Sequence, residues 1–158
     1  MVRVFVQNEA GSCLKNYHDE RTLQHLRTAS VSHAYPYPYG FIIGTTAADS
    51  GCVDCFILTN RALKTGDVVE CESVGLMEQF EDGLPDHNIL ARLLDETPSI
   101  GHQVETALTE HVLACFRHVA GTRVTVGRFL GVADAEAHIA AHRKEGTDRP
   151  SGVTRTRR

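Results

Sequence analysis

The chain has 158 residues, a formal net charge of -4 and 42% hydrophobic residues, with no Trp. That length predicts one domain with a real buried core, and the acidic balance argues against a general nucleic-acid binder. No apolar run approaches the roughly 20 residues that a membrane-crossing helix needs, and five cysteines without small-domain spacing read as reduced thiols in a cytoplasm.

Residues 2–6 are strand-like and lack the basic-then-apolar layout of a signal peptide. Residues 13–17 form a second candidate strand after the Gly11-Ser12 turn. Tyr35-Pro36-Tyr37-Pro38 reads as a rigid turn, since proline fixes the backbone there, and Tyr39-Gly40-Phe41 follows it. The nearly continuous apolar run at 53–58 predicts a buried strand. Lys64-Thr65-Gly66-Asp67 is a turn signal, and residues 68–74 alternate as a half-buried strand. Residues 89–91 suggest one more short strand.

The period changes at Val104. Leu108, Val112 and Phe116 recur at four-residue steps and predict an amphipathic helix capped by Gly121. Residues 122–130 alternate again as a closing strand. Asp134 is the expected N-cap of a second helix spanning about 135–145. Residues 146–158 hold Pro, Gly, Ser, Thr and Arg with almost nothing apolar, and are expected to be a flexible basic tail on a single domain spanning 1–145. Strands first and helices last predict an α+β fold around a small barrel.

Two acidic pieces stand out along this frame. Asp49-Ser50-Gly51-Cys52-Val53-Asp54 runs into the apolar strand, and Glu81-Asp82-Gly83-Leu84-Pro85-Asp86 follows the next one. Carboxylates at strand ends and in tight Gly/Pro turns present hard oxygen ligands of the kind Mg²⁺ takes. An aspartate inside Val53-Asp54-Cys55-Phe56 is expensive to bury without a cation or donors. Cys52 and Cys55 form a C-x-x-C, but residues three apart on a strand face opposite ways, so the spacing is read as chance. His87 is read as a solvent-facing loop residue and Asp82 as a solvated turn acid. His138 and His142 lie four apart on the last helix, with no third ligand nearby, and are assigned to an exposed helical face.

Tyr-x-x-x-Tyr-Gly-Phe-Ile from Tyr35, Asp-x-x-x-x-Asp from Asp49, Gly66-Asp67-Val68-Val69, Val74-Gly75, the 81–86 acidic loop and Ala133-Asp134-Ala135-Glu136-Ala137 together resemble the soluble family I inorganic pyrophosphatases. The resemblance implies an OB-like five-stranded β-barrel with two C-terminal helices packed on it. It also implies Mg²⁺-dependent hydrolysis of diphosphate to two phosphates, with Mn²⁺ as an alternative cation, and a homo-oligomer, hexameric as in bacterial members. By position it makes Asp49, Asp54, Glu81 and Asp86 metal ligands, and Lys15, Arg27 and Tyr39 substrate-binding residues.

The departures from the family pattern are specific. Gly51 stands where the family carries the acid that ligates metal and activates the attacking water, and Cys52 replaces a proline. Asn88 replaces a substrate-binding Lys, Val6 a metal-associated Glu, and His118-Val119-Ala120 a Tyr-Lys pair. Losing such a group commonly costs on the order of 3 kcal/mol in the transition state, so slow turnover is expected. Gly51→Asp is expected to raise hydrolysis if the remaining site is intact. The alternatives are an inactive homologue that binds a phosphate-containing ligand, or a hydrolase of another phosphoanhydride or phosphonate. No nucleic-acid or membrane partner is expected.

Overall fold

The computed structural model describes residues 1–117 and 119–144. The strands are β1 (Val2–Asn8), β2 (Leu14–His18), β3 (His25–Ser30), β4 (Tyr39–Ile42), β5 (Asp54–Ile57), β6 (Val68–Glu81), β7 (Leu84–Pro85), β8 (Asn88–Leu93) and β9 (Val124–Leu130). Helix α1 (His102–Phe116) lies between β8 and β9, and α2 (Val132–His142) ends the described chain. None of the described helices is long and apolar enough to cross a membrane.

Five strands close on themselves. β1 pairs with β4 and β4 with β5; β5 runs parallel to β8, β8 pairs with β6, and β6 returns to β1. Closure leaves no unpaired edge within the ring. β6 is long enough to continue past the barrel and pair with β7 and β9. β2 and β3 form a separate hairpin. This is the α+β barrel with two helices that the sequence predicts.

The apolar run of β5 is continuous because both of its faces are covered. Cys55 and Ile57 join a core cluster completed by Ala135 and Ile139 of α2. Phe56 and the following Leu58 join another, completed by Val104, Leu108 and Val112 of α1. Cys52 sits in a third cluster with Phe5 and Phe41, away from Cys55, and all five cysteines are free.

Several boundaries differ from the sequence reading. The alternation of β6 breaks at Val74 because the register shifts between Ser73 and Gly75; the strand itself runs on to Glu81. β3 is exposed along nearly its whole length and has no apolar face to betray it. α1 ends at Phe116 with Arg117 as its C-cap, and Gly121 lies in a later turn. The N-cap of α2 is Gly131, so Asp134 occupies the first turn, where its charge complements the helix dipole. The expected tail at 146–158 and the predicted end of α2 at residue 145 lie outside the described residues, as does His118.

β4 follows directly on the rigid 35–38 turn. Its Gly40 is required by contact: a Cβ there would lie 1.8 Å from the carbonyl oxygen of Phe5 in the neighbouring strand. Gly40→Ala is expected to push β1 and β4 apart at a cost of about 3 kcal/mol or more. A fall in the urea midpoint, read by circular dichroism, checks this; an unchanged midpoint would remove the argument.

Two features of the topology matter for chemistry. Parallel pairing sets Asp54 opposite Asn88, so β5 and β8 begin at the same end of the barrel. The two-residue Asp82-Gly83 turn, with φ of 52° and 81°, has the left-handed geometry that folds β7 tightly back on β6. Glu81 and Asp86 therefore return to that end as well.

Candidate active site

The 45–53 loop carries Asp49 to this end and is pinned from within. Buried Thr45 donates through Oγ1 to the carbonyl of Ile42 and accepts from the Val53 N–H. Asp49 Oδ1 accepts from the Gly51 N–H at 3.0 Å, closing a local turn. The far side of the loop is held by the end of α2, where the Thr46 N–H donates to the His142 carbonyl. Asp49, Asp54 and Asp86 face a cleft of about 40 Å³, with His87, His138 and His142 along its wall.

The carboxylates crowd one another. Burial, then the charge of Asp86, pushes the Asp54 carboxyl up to about 8, with Asp49 and Glu20 adding to the rise; a side-chain hydrogen bond with Tyr39 opposes it. Asp86 is also raised, first by burial and then by Asp49 and Glu81, while Lys15 and His87 pull it back. Tyr39 sits well above the ordinary tyrosine value through burial and its neighbour Asp54, so it is a hydrogen-bond donor and not a base. The structure thus brings Asp49, Asp54, Glu81, Asp86, Tyr39 and Lys15 into one electrostatic neighbourhood.

Arg27 is placed differently. It lies on the exposed face of the hairpin with its guanidinium 3.8 Å from the Tyr17 ring, and Lys15 reaches the same ring at 5.2 Å. Among the described residues no ion pair joins Arg27 to the cleft acids.

The substituted positions have found other uses. Asn88 is 3% exposed and donates to Gln79 Oε1 at 2.8 Å. Gln79 Nε2 in turn approaches Asp86 Oδ2 at 3.4 Å, so Asn88 braces an acid and does not reach outward. Val6 is fully buried in the core, and Ala120 is exposed.

Of the polar residues, Asp82 stays the exposed turn acid of the sequence reading, while the histidines change. Asp82 is a turn acid with a partner, accepting from the Arg123 N–H at 2.8 Å, and it does not point into the cleft. The histidine reading is overturned. His138 is half-buried against His142, with ring centroids 4.3 Å apart, and His87 joins them at 5.7 Å from His138. Burial, His142 and His87 together hold His138 at about 4. The helical spacing gave that pair, while the third ring arrived from a loop 51 residues earlier by residue number. Among the described residues, no three His, Cys, Asp or Glu side chains already converge tightly enough to hold an ion without movement.

Sequence reasoning passed over Glu20, at the tip of the β2–β3 hairpin. Its Oε2 accepts from the Cys52 N–H at 2.7 Å. Gln79 was also missed, because its role depends on β6 facing β8. A larger open hollow of about 380 Å³ lies beside Tyr37, Leu58 and Glu96. Its one acid already accepts from the Thr59 hydroxyl, so it offers no comparable chemistry.

A family model described as inorganic pyrophosphatase matches residues 9–145. The chain is 29% identical over 150 residues to the inorganic pyrophosphatase of Saccharolobus solfataricus, covering 87% of each. It is 32% identical over 99 residues to that of Sulfolobus acidocaldarius, covering 61% of this chain and 57% of that protein. The match to the Mycoplasma pneumoniae relative likewise spans only 50% of its length. Among solved structures, an inorganic pyrophosphatase from Neisseria gonorrhoeae superposes with a TM-score of 0.81 at 21% identity, covering 89% of this chain and 87% of that one. The enzyme from Thermus thermophilus gives 0.81 at 20% identity over the same shares.

Proposed function

Because the chain belongs to the inorganic pyrophosphatase family, we propose that it hydrolyses diphosphate to two phosphates with the help of Mg²⁺. The observation that carries this reading is the gathering of Asp49, Asp54 and Asp86 on one cleft, where burial and then neighbouring carboxylates raise both Asp54 and Asp86. A protein does not keep like charges together in a covered site without something that rewards them, and a divalent cation does so. The donors fit that ion: Asp49, Asp54, Glu81 and Asp86 supply only hard carboxylate oxygens, as Mg²⁺ and Mn²⁺ take.

Once bound, such ions neutralise the anion and make an attacking water more acidic. The chain's own residues set the conditions around that chemistry. Tyr39 holds the Asp54 carboxylate by donating to it. The Asn88–Gln79 pair steadies Asp86 from behind. Lys15, on the hairpin, supplies positive charge that reaches Asp86 and can meet the substrate's phosphate oxygens. Arg27 is assigned to the same anion by its match to the family position alone.

The reading also sets the rate low. Neither Asn88 nor Ala120 offers a cation to the departing phosphate. Phosphate release from diphosphate by the purified protein, measured with Mg²⁺ and then Mn²⁺, is expected to show slow turnover that EDTA abolishes. No release with either cation would overturn the hydrolase reading and leave a phosphate-ligand binder on the same scaffold.

A further inference from the structure

Gly51 has no side chain, yet the space beside it is already taken. A Cβ built on Gly51 would lie 3.2 Å from Glu20 Oε2 and 3.6 Å from Oε1, and 3.3 Å from Asp49 Oδ1. Two carboxylates from segments far apart in the chain therefore converge on a single glycine. Glu20 is carried there by the β2–β3 hairpin and anchored by the Cys52 N–H. Any side chain at residue 51 would start in tight contact with the Glu20 carboxylate, so Gly51 is what admits it.

We propose that Glu20 is a working carboxylate of the cation site, occupying the place that a side chain at residue 51 would fill. The inference rests on the cation-dependent reading above and adds a residue to it. Glu20 and Asp49 would supply carboxylate oxygens to the cation in addition to those of Asp54 and Asp86. The competing account is that Glu20 merely ties down the loop through Cys52. The two differ in what they need: the tie needs an acceptor oxygen, and the cation site needs a negative charge.

This also revises the expectation for Gly51→Asp. The new carboxylate would meet both Glu20 and Asp49, so Glu20 must swing away and a third like charge is added. The single change is expected to bring no gain in cation affinity. Combining it with Glu20→Gln, which removes the rival charge, is expected to restore affinity.

Mn²⁺ binding to the cation-free protein, followed by titration calorimetry and by the electron paramagnetic resonance signal of the free ion, tests the proposal without reference to turnover. Glu20→Gln keeps an acceptor for the Cys52 N–H, so its melting curve is expected to match wild type while Mn²⁺ affinity falls by about ten- to a hundredfold. The Glu20→Gln, Gly51→Asp double variant is expected to recover most of that loss. If Glu20→Gln binds Mn²⁺ like wild type and only Glu20→Ala weakens or unfolds the protein, Glu20 is a loop anchor and the proposal fails. It also fails if the wild type binds no Mn²⁺. Glu20-dependent binding without diphosphate cleavage would sink the hydrolase reading alone; cleavage with Glu20-independent binding would sink this one alone.

Discussion

Asp54→Asn is expected to reduce diphosphate turnover by roughly a hundredfold or more while raising the melting temperature of the cation-free protein. The substitution preserves shape and leaves an oxygen for the Tyr39 hydroxyl. What it removes is a charge set among Asp86, Asp49 and Glu20, whose combined field and burial hold the Asp54 carboxyl at about 8. In the absence of a cation that charge destabilises the fold. Its removal should stabilise the protein by on the order of 1–2 kcal/mol at pH 8, allowing for relaxation around the site. Calorimetric melting in EDTA, beside phosphate release in Mg²⁺, reads both effects. A variant that loses activity and stability together would show Asp54 to be a structural residue, and one that keeps its activity would remove Asp54 from the site.

Between pH 6.5 and 8.5 the cation-free wild type is expected to lose stability as pH rises, and saturating Mg²⁺ should abolish the loss. The folded-state value of Asp54 lies above its ordinary 3.8, so the folded protein holds more protons there than the unfolded chain. The stabilisation from that proton is complete below about pH 4 and disappears as pH passes through about 8. Asp86 is raised as well, so its contribution has the same sign.

Other groups define the window. His138, His111 and His18 are lowered from 6.5, so their contribution grows as pH rises toward 6.5 and is then complete. Cys52 and Cys71, raised to about 11 and about 12, begin to matter only near pH 9. Within the window Asp54 dominates, and a loss of about 1–2 kcal/mol is expected. On the proposed reading, Mg²⁺ held by Asp54 would displace its proton and stabilise the folded state by mass action, which would remove the slope. A flat profile in EDTA, or a slope that Mg²⁺ leaves unchanged, would contradict a cation site built on Asp54. The same scan on Asp54→Asn should be nearly flat.

How far the residues reveal themselves depends on whether their signal is local. β5 and α1 were legible because periodicity in apolar side chains is a property of a few adjacent residues. β3 was not, since a hairpin strand exposed along most of its length has no pattern to show. The end of β6 was hidden by the register shift at Gly75, which breaks alternation without ending the strand. Asp54 was legible because an acid inside an apolar run is costly wherever the run goes.

The sequence by itself determined the barrel, the two helices, the two acidic pieces and the missing side chain at residue 51. Those follow from side-chain period, turn chemistry and the resemblance its motifs carry. Only the tertiary structure decided what surrounds them. The parallel pairing of β5 and β8 joins Asp54 to Asp86, the inward turn of Asn88 removes it from the substrate side, and His87 meets His138 across the cleft. Glu20 reaches Gly51 across 31 residues of chain only because the hairpin folds over the loop. Such contacts depend on how separate segments pack, and spacing along one chain carries no record of them.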